Sequence, residues 1–136
     1  MVKGLLADAN IIGPVRALAQ RMQAEPWTDL WGLLGLSLFT FDDVGLIPKS
    51  KDVDVWTTCQ DNQLILITDN RNSKTVDSME ATIRTFNQPD SLPIFTISDM
   101  DTFQDDREYA DRVVENLYDY LMRIDDVRGT GRLYLP

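Results

Sequence analysis

Short apolar runs alternate with amphipathic stretches along the whole chain. The densest run is Leu64-Ile65-Leu66-Ile67. Four consecutive large apolar side chains predict a strand covered on both faces, as in a parallel sheet. Residues 4–7 and 93–97 predict two further buried strands. Residues 36–41, with Phe39, Thr40 and Phe41, predict another, and 132–135 a short final one. Helical spacing fills the intervals. Pro14 suits a first helical turn, and Val15, Leu18, Ala19 and Met22 recur at the period of a helix. Pro26 closes that region. A second short helix is expected over 27–34, with Leu30, Leu33 and Leu34 as its apolar stripe. Residues 42–51 contain Gly45 and Pro48 and predict a loop. Asp52 is placed to cap a helix running to about residue 61. Residues 78–86 predict a helix. So do 107–124, where Ala110, Val113, Val114, Leu117, Tyr120, Leu121 and Ile124 mark one buried face. Strands alternating with helices define an α/β class: a three-layer fold with a mostly parallel central sheet flanked by helices.

Composition narrows the function. A chain of 136 residues without repeats or a long linker is expected to be one domain, 1–136. No apolar run approaches the roughly 20 residues of a membrane span. Asp8 interrupts the first apolar run, so no secretory leader is predicted, and a cytoplasmic protein is expected. The single cysteine, Cys59, excludes an internal disulfide and reads as a small buried residue on a helix. There is no histidine, which excludes Ser-His-Asp and Cys-His catalysis and every histidine metal site. Hydrolytic chemistry here has to come from carboxylates, hydroxyls, lysine or arginine. The net charge of −9 disfavours nonspecific binding to phosphate backbones. It leaves room for a locally basic groove, or for acids whose charge a bound cation offsets.

Three predicted strands each run into an aspartate: Asp8 after residues 5–7, Asp69 after 65–68 and Asp99 after 95–98. Parallel strands place these ends on one edge, where open α/β sheets bind ligands. Asp52, opening a helix that leads into the Asp69 strand, can approach from the opposite side. Two carboxylates about 4 Å apart repel by about 4 kcal/mol at an effective dielectric of 20. Protons or cations must offset that repulsion, and Mg²⁺ or Mn²⁺ suits oxygen donors. Each aspartate, taken alone, reads first as a turn residue or helix cap, and three strand ends in one register shift the reading toward a site. Thr68 and Asn70 flank Asp69 and are placed to orient water or a carboxylate, or to hold a turn. Arg71 is placed to meet a phosphate or a local acid. The remaining acids have simpler roles. Asp42 and Asp43 cap or solvate a loop. Asp105 and Asp106 favour the start of the last long helix. Asp125 and Asp126 sit where a helix C-terminus disfavours them. Trp27, Trp31 and Trp56 are expected in the core.

The segments LLADANI near the start, DVDVW at 52–56, LILITDNRN at 64–72 and FTISDMD at 95–101 resemble the PIN-like domain family. The likeness is to its smaller branch, related to the toxin ribonucleases of toxin–antitoxin pairs. The resemblance implies a PIN-like parallel sheet and metal-dependent cleavage of RNA phosphodiester bonds. It implies Asp8, Asp52, Asp69 and Asp99 as catalytic metal-binding acids for Mg²⁺ or Mn²⁺. Asn10, Thr68, Asn70 and Arg71 would line the substrate site, with Lys74 and Arg84 as further contacts. Asp54 competes with Asp52 and Asp101 with Asp99. The branch usually reads Thr, any residue, Asp, whereas here Asn70 stands two after Thr68 and Asp69 comes one early, so both remain candidates for the third position. RNA, an antitoxin-like protein and a second copy of the chain are the partners this implies. The segment GTGRLYLP is the candidate for an exchanged or docked tail.

Two other classes compete. Net charge and Asn70 suit a catalytically weak or inactive PIN-like binding module. A phosphoacceptor signalling domain also places aspartates at strand ends, but it carries an acidic pair after the first strand, where Asp8 stands alone.

Overall fold

The computed structural model describes residues 1–69 and 78–136. Among these, β1 (Gly4–Ala7), β2 (Leu38–Phe39), β3 (Leu64–Thr68), β4 (Ile94–Ile97) and β5 (Arg132–Leu135) form one sheet in the order β2-β1-β3-β4-β5. Every neighbouring pair is parallel. The helices are α1 (Ile12–Gln23), α2 (Thr28–Leu33), α3 (Asp52–Asn62), α4 (Met79–Phe86), α5 (Met100–Asp105), α6 (Arg107–Met122) and α7 (Ile124–Val127).

The period of two along each strand sorts its side chains onto two faces. Leu5, Ala7, Ile65, Ile67, Phe95 and Ile97 pack with the buried faces of α1, α5 and α6. Leu6, Leu64, Leu66 and Ile94 turn the other way, onto α3 and α4. The result is the three-layer α/β arrangement expected, and the central strands are almost wholly apolar because both faces are covered, with Thr68 and Thr96 the buried exceptions. Each fully buried Leu or Ile contributes about 1.5–3 kcal/mol relative to exposure. At β1 the backbones come too close for a side chain: a Cβ on Gly4 would lie 2.0 Å from the Ser37 carbonyl oxygen. That oxygen accepts the Leu5 N–H at 2.9 Å.

Four elements depart from expectation. The predicted strand over 36–41 shortens to Leu38–Phe39, because Asp43 Oδ2 accepts from both the Thr40 N–H at 2.8 Å and the Thr40 hydroxyl at 3.1 Å and turns the chain. In α2, Leu33 does not join the stripe and is 78% exposed. Asp52 is the first residue of α3, not its cap, which is Lys51. The long helix stops at Met122, and its apolar period continues across a break at Arg123 into α7. Asp125 and Asp126 therefore lie in the first turn of a new helix, where the dipole favours them, and Asp125 accepts from Arg128 at 2.9 Å.

Other expectations hold in place. Asp106 caps α6 by accepting from the N–H groups of Glu108 and Tyr109. Of the three tryptophans expected in the core, Trp56 is buried against α4, whereas Trp27 and Trp31 are only half-buried at its edge, Trp27 stacking on Tyr118 with ring centroids 5.6 Å apart. Tyr118, 1% exposed, donates its hydroxyl to the Met22 carbonyl at 2.7 Å and ties α6 to the end of α1. Burial pushes the Tyr118 phenol up to about 12. The tail docks on its own sheet as β5, where Arg132 pairs with Glu80 of α4 and bonds Thr96 of β4. Among the described residues no helix is long and apolar enough to cross a membrane.

Candidate functional site

Strand β1 connects outward to β2 on one side, while β3 lies on its other side and leads on to β4. The reversal opens a crevice beyond the carboxyl ends of β1 and β3, the place where open α/β sheets hold ligands. Asp8 stands at this point. Its N–H continues the ladder to the Ile67 carbonyl at 3.1 Å. Its side chain then opens a short 3-10 turn at Ala9–Ile11, with Oδ1 accepting a long 3.4 Å contact from the Asn10 N–H. Thr68, the last residue of β3 and 2% exposed, donates its hydroxyl to Asp8 Oδ2 at 2.6 Å. A hydroxyl–carboxylate bond of that length is charge-assisted and fixes the carboxylate plane. Cap and site are therefore one role for Asp8: the bonds that start the turn also aim the carboxylate.

Asp52 comes from the other side of the crevice. The loop before α3 is held by the Ile47 N–H donating to Ser50 Oγ at 2.9 Å. In the first turn of α3, Asp52 and Val55, three apart, share the face that lines the crevice, whereas Asp54 is exposed and turned away. Asp8, Asn10, Ser50, Asp52 and Thr68 form the polar lining of a cavity of about 80 Å³. Its apolar walls are Phe41, Pro48, Val55, Leu66 and Met79. This space is large enough for water or a small ion.

The other expected ligands among the described residues do not line this cavity. Asp69 is exposed and is not among the described residues that line the cavity. Asp99 is the N-cap of α5. Its oxygens accept from the Thr102 N–H at 3.0 Å and the Thr102 hydroxyl at 2.7 Å. Its own N–H donates to the Tyr109 hydroxyl at 3.1 Å. Asp101 is an exposed first-turn residue of the same helix. Asn70, Arg71 and Lys74 lie outside the described residues. Arg84 is exposed in the last turn of α4. Among the described residues no group of three His, Cys, Asp or Glu side chains gathers closely enough to hold a metal ion. The described crevice thus unites two of the four expected acids, together with Asn10 and Thr68. Ser50 was not anticipated. Its only sequence signal is a hydroxyl two residues before Asp52, and its position depends on the Ile47 turn.

The donor set decides what can bind. Two carboxylates, two hydroxyls and an amide are hard oxygen donors, and the cavity leaves room for water. Mg²⁺ is commonly held through one or two carboxylates while keeping several waters, so the residues present fit it. Soft thiolate ligation is absent from this set: Cys59 is buried in α3, and burial pushes its thiol up to about 12.

No family model, no curated protein and no solved structure matches the chain.

Proposed function

We propose that this chain is a Mg²⁺- or Mn²⁺-dependent ribonuclease of PIN-like type, working at the Asp8–Asp52 crevice. The observation that supports it most is that Asp8 and Asp52, brought from different elements, line one polar cavity at the switch point of the sheet. When bound, the cation supplies water activation and neutralises charge developing on a phosphoryl group. The chain's own residues do the rest. Asp8 and Asp52 would hold the cation, each brought from a different element. Thr68 locks the Asp8 carboxylate in one orientation. Ser50 Oγ accepts from the Ile47 N–H, which leaves its proton to donate toward a phosphoryl oxygen. Phe41, Pro48 and Val55 limit water around the reacting group. Asn70 and Arg71, which follow Thr68 closely in sequence, are the candidates for substrate contacts in this reading. Asp69 and Asp99 are further acids of the same edge in this reading.

A second reading is a PIN-like binding module without turnover, facing a basic antitoxin-like protein. It is favoured by Asp99, whose carboxylate caps α5. Mn²⁺ calorimetry combined with cleavage of a pool of structured RNAs separates the two. Metal binding with cleavage, both lost in Asp8→Asn, supports the nuclease. Metal binding without cleavage supports the module. No heat of binding in the wild type removes the cation from both.

A further inference from the structure

Where the chain enters α3 it alternates. Pro48, Ser50 and Asp52 line the crevice, and Lys49 and Lys51 between them are exposed. The chain's lysines stand at 3, 49, 51 and 74, and no two other basic residues are as close in sequence as Lys49 and Lys51. The backbone of this segment is fixed at both ends. The Ser50 N–H donates to the Ile47 carbonyl at 2.9 Å, while Ser50 Oγ accepts from the Ile47 N–H. The Lys51 carbonyl accepts from the N–H groups of Asp54 at 2.9 Å and Val55 at 3.0 Å. The turn that delivers Ser50 to the cavity therefore also sets two ammonium groups at its rim.

This pair bears on the problem that a net charge of −9 poses for a phosphate backbone. At 0.1 M salt, exposed charges farther apart than about 10 Å are largely screened. A strand lying over the crevice thus meets the local balance and not that of the whole chain. There a divalent cation offsets Asp8 and Asp52, and Lys49 and Lys51 leave the rim positive. Asp42 and Asp43 belong to the preceding 3-10 turn, where Asp43 is bonded to Thr40, and Asp54 is turned away from the crevice. We infer that Lys49 and Lys51 are substrate-positioning residues of the crevice, each neutralising a backbone phosphate of a single RNA strand beside the phosphate at the cation. This rests on the nuclease reading and adds to it what holds the strand. It also sets the two readings of the site apart, because two lysines at the mouth repel a basic partner.

The test follows a fluorescent oligouridylate by anisotropy, with the Asp8→Asn chain in Mn²⁺ and the wild type in Ca²⁺, over about 0.05–0.3 M salt. Saturable binding is expected. One phosphate contact on a single strand contributes a slope of about 0.7 in log K against log salt, or about fivefold in affinity at 0.1 M. Lys49→Gln and Lys51→Gln should each weaken binding by about that factor and lower the slope by about 0.7, while Lys49→Arg and Lys51→Arg should restore both. Lys3→Gln, which removes the same charge just before β1 at the opposite end of that strand, should change neither. Absence of saturable binding in both backgrounds overturns the inference. So does a double Lys49→Gln, Lys51→Gln variant that binds like its parent, or a loss of the same size in Lys3→Gln, which would make the effect one of net charge. Displacement of the strand by an oligoglutamate of equal charge would assign the rim to an acidic protein segment and also overturn it. The two readings fail separately. Lysine-dependent strand binding without cleavage by the wild type in Mn²⁺ removes the nuclease and keeps the rim. Cleavage and strand binding that both ignore the lysine variants keep the nuclease and remove the rim.

Discussion

Thr68→Val removes one hydroxyl from the candidate site and little else. Valine keeps the β-branched shape and the strand preference of threonine, so β3 should remain intact. The lost group donates to Asp8 Oδ2 at 2.6 Å from a side chain only 2% exposed. Hydrogen bonds to charged groups contribute about 1.5–3 kcal/mol. Asp8 is half-exposed and can recruit water in compensation, which puts the expected loss at the lower end, about 1–1.5 kcal/mol. For a domain of this size that is a fall in Tm of about 3–6 °C. The same bond orients Asp8, and groups that orient metal ligands typically account for about 10–100-fold in metal affinity. Thr68→Val should therefore weaken Mn²⁺ binding about tenfold or more, while Thr68→Ser, which keeps the hydroxyl, should recover most of both effects. Urea unfolding followed by circular dichroism and Mn²⁺ calorimetry read the two quantities. If Thr68→Val binds Mn²⁺ as the wild type does, or if Thr68→Ser is as impaired as Thr68→Val, the hydroxyl does not position Asp8 and the reasoning fails.

Two further predictions probe the surroundings. Asp99→Ala should cost about 1 kcal/mol through loss of the α5 cap and leave Mn²⁺ affinity unchanged; a matching loss of affinity would return Asp99 to the site. The Cys59 thiol ionises near 9.0 when unfolded and only at about 12 when folded. The unfolded state thus binds fewer protons between those values, and stability falls as pH rises at up to about 1.4 kcal/mol per pH unit from this group. Unfolding free energies measured across that window should fall less steeply for Cys59→Ala than for the wild type, and equal slopes would contradict the burial argument.

The strands that were legible in the sequence are those buried on both faces. Leu64–Thr68 and Ile94–Ile97 read as dense apolar runs, broken only by Thr68 and Thr96, because every position is buried. The edge strand β2 was overextended because apolar residues also occur in turns that pack on the core. Phe41 is buried in the turn that Asp43 closes, outside any strand. At the other end of the chain, Ile124 continues the period of α6 although the backbone breaks at Arg123, since periodicity records which face is buried and not whether the helix is continuous. The site shows the same division. That Asp8 and Asp52 line one crevice is legible from strand order and helix position. Asp99 fits the same local pattern but serves as a cap, because a strand end followed by a helix start asks for an acid whether or not a ligand is present. Ser50 was invisible because a tertiary turn, not a local pattern, brings it to the crevice.

The bond between Thr68 and Asp8 joins positions 60 residues apart in the chain. The crevice therefore has no local precursor: neither half of the molecule can assemble it, and it appears only once β1 has docked on β3. Any ligand of the crevice recognises the completed fold alone, and its binding energy adds to the stability of the whole domain, not to that of one segment. Amide protons throughout the central strands, far from the ligand, should then slow their exchange together as the ligand is added.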